Sequence, residues 1–322
     1  MRSSRTTPAS VRSCASTPTS SRRCASRSPG GARPVRPAGG AMDPTHALRP
    51  SLEEAREAWT KLVDADAEQV ARVREPEPAH DFYAPVAGTF RPSESSAAEF
   101  EVLASLAQPE DRWLDIGAGG GRFALPLARE VGEVIAIEPS PAMRRVLAEG
   151  VEEAGLTNLT VHDARWPVEG WTEQADVALA AHCLYDNREP LPFIEAMERH
   201  ARRLCVVSLA RFPRGVQFAE LFETVHGEPF QALPALHEFV ALLGALGRSY
   251  EVRRVWAGWL AEPINPEQAR TFVRRLLWLR PGSDKDRRMC DLIDRWWGGP
   301  DGVRLPLGPR EIGIVTWRTA GG

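Results

Sequence analysis

The chain has almost no lysine. Lys61 and Lys285 are its two lysines among 322 residues, and the other basic side chains are arginine. Its five cysteines, Cys14, Cys24, Cys183, Cys205 and Cys290, include no C-x-x-C pair. Their odd number and scatter argue against a disulfide framework, and the missing paired spacing argues against a zinc site; no metal is expected. A reducing, cytoplasmic setting is the default. No run approaches the ~20 consecutive apolar residues of a membrane helix, so no membrane partner is expected.

What is present suits a globular protein. Hydrophobic residues make up 43% of the chain and charged residues 26%, enough apolar material for a sizeable core. The charge is unevenly placed. Residues 1–41 hold eight arginines and no acid, so of the formal −3 the remaining chain carries −11. An acidic body disfavours RNA or DNA as a partner. Residues 1–41 are Ser, Arg, Pro, Ala and Gly, with too little large apolar surface to offset the entropy of ordering. They also lack the apolar core of a secretory signal. They are read as a disordered tail or as sequence ahead of a true start at Met42, with an Arg- and Ser-rich transit peptide as the other reading.

From Ser51 a pattern appears. Ser51 and Glu54 form an S-x-x-E capping box, and Leu52, Ala55, Trp59, Leu62, Val63, Ala67, Val70 and Val73 follow at helical spacing. Pro76 and Pro78 end this helix. A second begins near Ser93 and carries Ala98, Phe100, Leu103 and Leu106. DFYAPVAGTF lies between them as an aromatic loop. Residues 42–108 are thus expected to form an N-terminal helical cap.

From residue 109 to 322 strands and helices alternate. The expected strands are 113–117, 133–138, 159–163, 176–181, 204–210, 250–258 and 311–317. The expected helices are 121–130, one opened by Ser140 and closed by Gly155, 190–203, 233–246 and two within 266–297. This order predicts an α/β fold: a doubly wound, mostly parallel, seven-stranded sheet with helices on both faces. Insertions at about 211–232 and 259–309 are expected on the substrate side, the second a helical insertion before the last strand.

The central signal is Asp115-Ile116-Gly117-Ala118-Gly119-Gly120-Gly121, a D-x-G-x-G-x-G run where a buried strand turns into a helix. In an open α/β sheet a nucleotide-like ligand binds at the carboxyl ends of the strands. Glycine permits both the tight turn and a close approach to the ligand. A nicotinamide fingerprint, G-x-G-x-x-G, fails at Arg122, and the lysine of G-x-x-x-x-G-K-[ST] is absent. Glu138 ends the second strand, where an acid can accept both hydroxyls of a ribose. Asp163 ends the third, where a carboxylate can accept from an adenine amine. Each acid alone would more often be a solvated or capping residue; three at successive strand ends, with the loop, favour a ligand site.

WLDIGAGGGRFALPLA, EVIAIEPSPAM, LTVHDARW and ADVALAAHCLYD resemble the successive cofactor motifs of class I S-adenosylmethionine (SAM)-dependent methyltransferases. The similarity covers about residues 111–210. It implies SAM as cofactor, with Asp115, Gly117, Ala118, Gly119 and Gly121 around its methionine part, Glu138 on its ribose and Asp163 near its adenine. Ala181 and His182 would then line the sulfonium side. Pro126 is an oddity that should kink the first helix without touching the loop.

Methyl transfer from a sulfonium needs positioning of the nucleophile, and a base only when that nucleophile holds a proton tightly. His182, Tyr185 and Asp186 follow the fourth strand. His182 is the first candidate for a base, because an imidazole ordinarily titrates near neutrality; the alternative is a histidine that only packs. Tyr185 is the second catalytic candidate. Phe82 and Tyr83 are placed to cover the cofactor or face the substrate, and Arg211, His226 and Glu228 fall where such folds carry a substrate lid. Trp256, Trp259, Trp278, Trp296 and Trp297 read chiefly as packing residues. The resemblance also makes absences informative. No N-P-P-Y or D-P-P-Y follows the fourth strand, no Pro-Cys nucleophile is present, and Ala210-Arg211 supplies no magnesium ligands. What remains is a small molecule or a modest protein or peptide as acceptor, with the small molecule the expected partner. The rival readings are a non-catalytic SAM-binding protein of the same fold and another α/β nucleotide-cofactor enzyme.

Overall fold

The computed structural model describes residues 50–319, apart from 78, 214 and 259–261. The segment 1–41, the expected boundary at Met42 and Trp259 lie outside the described residues. The first helix, α1 (Leu52–Val73), starts as its sequence dictates. The Ser51 hydroxyl accepts the Glu54 N–H, and the Glu54 carboxylate accepts the Ser51 N–H at 2.8 Å. Two of the four N–H groups left open at a helix start are thereby paired. A 3-10 turn (Ala84–Phe90) and a shorter one (Glu94–Ser96) lead into α2 (Ala97–Leu106), which begins a few residues later than expected.

The alternating part runs β1 (Arg112–Ile116), α3 (Ala124–Leu127), β2 (Glu133–Ile137), α4 (Pro141–Ala154), β3 (Leu159–His162), β4 (Ala175–Ala181), α5 (Pro190–His200) and β5 (Ala201–Ala210). It continues through α6 (Ala219–His226), α7 (Leu236–Ala245), β6 (Tyr250–Ala257), α8 (Pro266–Leu276) and α9 (Asp284–Trp297). A small ladder of β7 (Gly298–Gly299) with β8 (Gly302–Val303) precedes the final strand, β9 (Arg310–Arg318). The seven-stranded sheet has the order β3-β2-β1-β4-β5-β9-β6. Its first five members are parallel, and β9 runs antiparallel to both β5 and β6. Strand order reverses between β1 and β4, and the crevice at such a switch point is where this architecture takes its ligand.

The central strands read as continuous apolar runs because both faces are covered. Leu114 and Ile116 point to one layer with Trp59, Phe193 and Phe239; Trp113 points to the other with Leu127 and Leu147. The two N-terminal helices lie on opposite faces: α1 packs on α7 and α5, and α2 on β6 and β9. A third cluster, built from α6, α8 and α9 around Phe222, Val273 and Ile293, forms the insertion.

Several boundaries differ from expectation. The helix expected over 121–130 shrinks to Ala124–Leu127, because glycines precede it and Pro126 has no N–H to extend the ladder. The α5 helix ends at His200 and β5 begins at Ala201, so three residues read as helix belong to the strand. Helix α6 lies within the expected 211–232 insertion, outside the expected helices. Asp163 lies one residue beyond β3.

Candidate active site

The glycine run leaves β1 beside the end of β2. The N–H groups of Gly117 and Ala118 both donate to the Ile137 carbonyl, at 2.8 and 3.1 Å. Gly117 and Gly121 have φ of +71° and +88°, where a side chain is strained. Space forbids one too: a Cβ on Gly117 would meet the Cys183 Cβ at 2.6 Å, and one on Gly121 would meet Leu147 at 2.6 Å.

Asp115, at the floor of this turn, is 2% exposed. Burial, with the Glu138 charge nearby, pushes its carboxyl up to about 7, and no donor among the described residues offsets it. Glu138 is also buried, but it is partnered. Its Oε2 accepts the Gly119 N–H and its Oε1 accepts the Ser140 N–H, each at 2.8 Å. Burial raises Glu138 above its ordinary range, and these two bonds recover only part of that shift. Each oxygen keeps a second acceptor site. Asp163 is exposed and accepts from Arg144 Nη2 at 2.7 Å. Ala118, within the loop, is buried, and Ala181 ends β4 half-buried.

His182 follows β4 with φ +57°, an uncommon conformation for a residue with a side chain. Its N–H donates to the Ser208 carbonyl at 2.9 Å. Both ring nitrogens are engaged: Nδ1 lies 2.9 Å from Tyr185 Oη, and Nε2 lies 2.8 Å from Glu99 Oε2. Tyr185 Oη in turn accepts the Ala210 N–H at 2.8 Å. The fold brings His182 and Tyr185 together and adds Glu99 from α2.

Two residues at the site escaped the sequence reading. Glu99 carried a faint signal: it stands one turn before Leu103, on the buried face of α2. Asp81 carried none. It reaches across 59 residues to accept from the Ser140 hydroxyl, and it also accepts the Ala142 N–H at 3.0 Å, closing the start of α4. The chain after Asp81 then lies over the glycine loop, with Arg122 Nη2 donating to the Thr89 carbonyl and its guanidinium over the Phe90 ring. Phe82 packs against Trp278 and Arg275, and edge-on against Tyr83. Arg211 pairs with Glu311, and His226 faces Lys285 inside the helical insertion. A separate cleft of about 430 Å³, lined by Trp171, Arg199 and His200, opens where β4 and β5 begin, at the opposite ends of these strands. Among the described residues no three His, Cys, Asp or Glu side chains cluster as metal ligands do.

A strand order reversing beside β1, with a glycine turn and strand-end acids there, defines a nucleotide-cofactor α/β fold. Residues 114–206 match the family model of a methyltransferase domain. By this match residues 114–206 form a methyltransferase domain. An uncharacterized protein of Haemophilus influenzae is 40% identical over 89 residues, which cover 27% of this chain and 33% of that one. A 23S rRNA (uracil(1939)-C(5))-methyltransferase of Shewanella sp. strain MR-7 is 32% identical over 127 residues, 35% of this chain and 28% of that one. The chain thus spans a third or less of the length of these relatives. Among solved structures, a putative methyltransferase of Bacillus halodurans is 15% identical, with 69% of this chain and 97% of that one covered and a TM-score of 0.49. The magnesium protoporphyrin IX methyltransferase of Synechocystis PCC 6803 is 14% identical, with 83% and 99% covered and a TM-score of 0.44.

Proposed function

We propose that this protein transfers a methyl group from SAM to a small-molecule acceptor, with residues 109–322 as the SAM-binding domain. The observation that carries the reading is Asp115, a buried carboxyl that no donor among the described residues partners, beneath a turn with no room for a side chain at Gly117 or Gly121. A cationic group placed there restores the partner a buried acid requires, and the ammonium and sulfonium of SAM are such groups. Bound at this loop, SAM supplies an electrophilic methyl group. Asp115 would hold the ammonium, with Gly117, Ala118, Gly119 and Gly121 giving close backbone approach. Glu138 would take the ribose hydroxyls on its remaining lone pairs, Asp163 the adenine amine, and Ala181 would line the reacting side.

The proton of the acceptor falls to Tyr185 and His182. Both imidazole nitrogens are engaged, so His182 acts through the Tyr185 hydroxyl rather than by direct contact. A cytoplasmic setting is part of this reading, supported by five cysteines without paired spacing. Among the described residues no helix is long and apolar enough to cross a membrane. The partial likeness to 23S rRNA methyltransferases favours RNA as a second reading of the acceptor; the −11 balance outside residues 1–41 speaks against it.

The test is calorimetry with SAM, S-adenosylhomocysteine and NAD, followed by methyl-labelled SAM offered with metabolite extract or with ribosomal RNA. Micromolar binding of the first two and label in a small molecule is the expected result. NAD binding without SAM binding would sink the cofactor assignment, label in RNA would replace the acceptor, and binding without any transfer would leave a SAM-binding protein.

A further inference from the structure

Glu99 is an acid in an apolar place. It lies on α2 between Ala98 and Phe100, 3% exposed, and burying a charge is costly unless it is partnered. Both of its partners converge on one oxygen. Oε2 receives His182 Nε2 and the Ser208 hydroxyl, each at 2.8 Å. Burial works to raise the Glu99 carboxyl, but the bond from His182 and its charge when protonated, the bond from Ser208 and the charge of Arg122 outweigh it and hold it below its ordinary range. An ionised carboxylate accepts and cannot donate. The shared proton is therefore carried by Nε2 of the histidine.

The rest of the array follows from that constraint. With Nε2 protonated, the neutral ring leaves Nδ1 as an acceptor, 2.9 Å from Tyr185 Oη. Across that distance the Tyr185 hydroxyl donates to Nδ1, while the same oxygen accepts the Ala210 N–H at 2.8 Å. Three elements distant in sequence, α2, the turn after β4, and β5, meet to fix one direction of donation.

We propose that Glu99 is a positioning residue that sets the tautomer of His182, so that Nδ1 can take the Tyr185 proton as Tyr185 takes one from the methyl acceptor. The balance is closed. The acceptor's bond to hydrogen breaks as that proton joins the Tyr185 oxygen. The phenol O–H breaks as its proton joins Nδ1. The imidazolium charge so formed lies beside the Glu99 carboxylate, and no electron changes hands. The use of this relay rests on the methyl-transfer reading; the tautomer does not.

The experiment uses the full chain labelled with nitrogen-15 histidine, with His182 signals identified by their loss in His182→Gln. Neutral His182 should show a protonated Nε2 and a bare, hydrogen-bonded Nδ1. In Glu99→Gln, whose amide can also donate, the Nε2-protonated form should lose its preference by about tenfold or more, as expected when a charge-assisted bond is removed. Ser208→Ala removes the other contact to Glu99 and should leave the tautomer unchanged, which a merely space-filling array would not do. A wild-type proton on Nδ1, or equal changes in Glu99→Gln and Ser208→Ala, overturns the proposal. If Glu99→Gln does not fold, the wild-type tautomer alone decides. S-adenosylhomocysteine calorimetry on the same samples separates the two readings, because its failure in the wild type strikes the cofactor assignment and leaves the tautomer result standing.

Discussion

The Cβ of Cys183 occupies the space where a Cβ on Gly117 would stand, at 2.6 Å, and its thiol donates to the Ile116 carbonyl at 3.1 Å. The end of β4 thus locks the turn that leaves β1. Gly117→Ala should cost the left-handed strain of about 1–2 kcal/mol and overpacking of about 1–3 kcal/mol. S-adenosylhomocysteine binding should be lost. Adding Cys183→Gly should recover the overpacking part and none of the strain. Denaturant unfolding of the two variants checks this, and equal stability in both would show that the contact is not the cause.

Glu138 joins Gly119 to Ser140 through its two oxygens. Glu138→Ala should weaken SAM binding by about 2–3 kcal/mol, of the order of a hundredfold. Glu138→Gln is not expected to be milder. Its carboxamide faces two backbone N–H donors, so its NH2 must oppose one of them. Asp163→Ala should cost less than either, since that carboxylate is 70% exposed and already paired with Arg144. Calorimetry, with circular dichroism as the check on folding, gives the ranking; parental affinity in Glu138→Ala would remove it from the ribose site.

Asp115 predicts a pH dependence. Its folded-state value of about 7 lies above its ordinary 3.8, so the folded chain holds this proton more tightly than the unfolded chain. The stability it contributes is complete below the ordinary value and is lost as pH rises toward 7. A cationic ligand favours the ionised form. SAM affinity should therefore rise with pH, by at most ~tenfold per unit for one linked proton, and level off above about 7. Binding near neutrality should release a proton, seen as a buffer-dependent heat. Asp115→Asn should abolish both effects; a proton release that survives the substitution would assign it elsewhere.

Trp59 is fully buried, and its Nε1 donates to the Asn187 carbonyl at 2.7 Å, tying α1 to the turn after β4. Trp59→Phe leaves that carbonyl without its donor and opens space, a loss of about 2 kcal/mol. Urea unfolding measures it, and a loss below a few tenths would mean that water replaces the bond.

Removing residues 1–41 should leave the melting temperature and S-adenosylhomocysteine affinity unchanged. These residues carry eight arginines and little apolar surface, and α1 caps its own start through Ser51 and Glu54. A shift of several degrees, or weaker binding, would give the segment a role.

The sheet was legible because its central strands are apolar on both faces and its strands are separated by helix starts such as Ser140-Pro141 and stops such as Gly155, which are local signals. The glycine turn was legible for the same reason. Helix lengths were less so. Ala201–Arg203 have helical propensity yet join β5, because pairing with β4 and packing on both faces outweigh a local preference. Pro126 showed where a helix was in trouble but not how far it would shrink.

The candidate site divides along the same line. Asp115, Glu138 and the glycines announce themselves because each lies where a strand ends, and strand ends can be read from hydrophobic pattern. His182 and Tyr185 were visible by position, but the bonds made by each ring nitrogen were not. Glu99 and Asp81 became site residues only through the tertiary structure, which carries them across 83 and 59 residues to His182 and Ser140. Local sequence sets which segments become strands and turns, since those choices depend on neighbouring residues. Which distant carboxylate meets which donor depends on how layers stack on a sheet, and a buried charge declares its partner only when that stacking brings the two within hydrogen-bond reach.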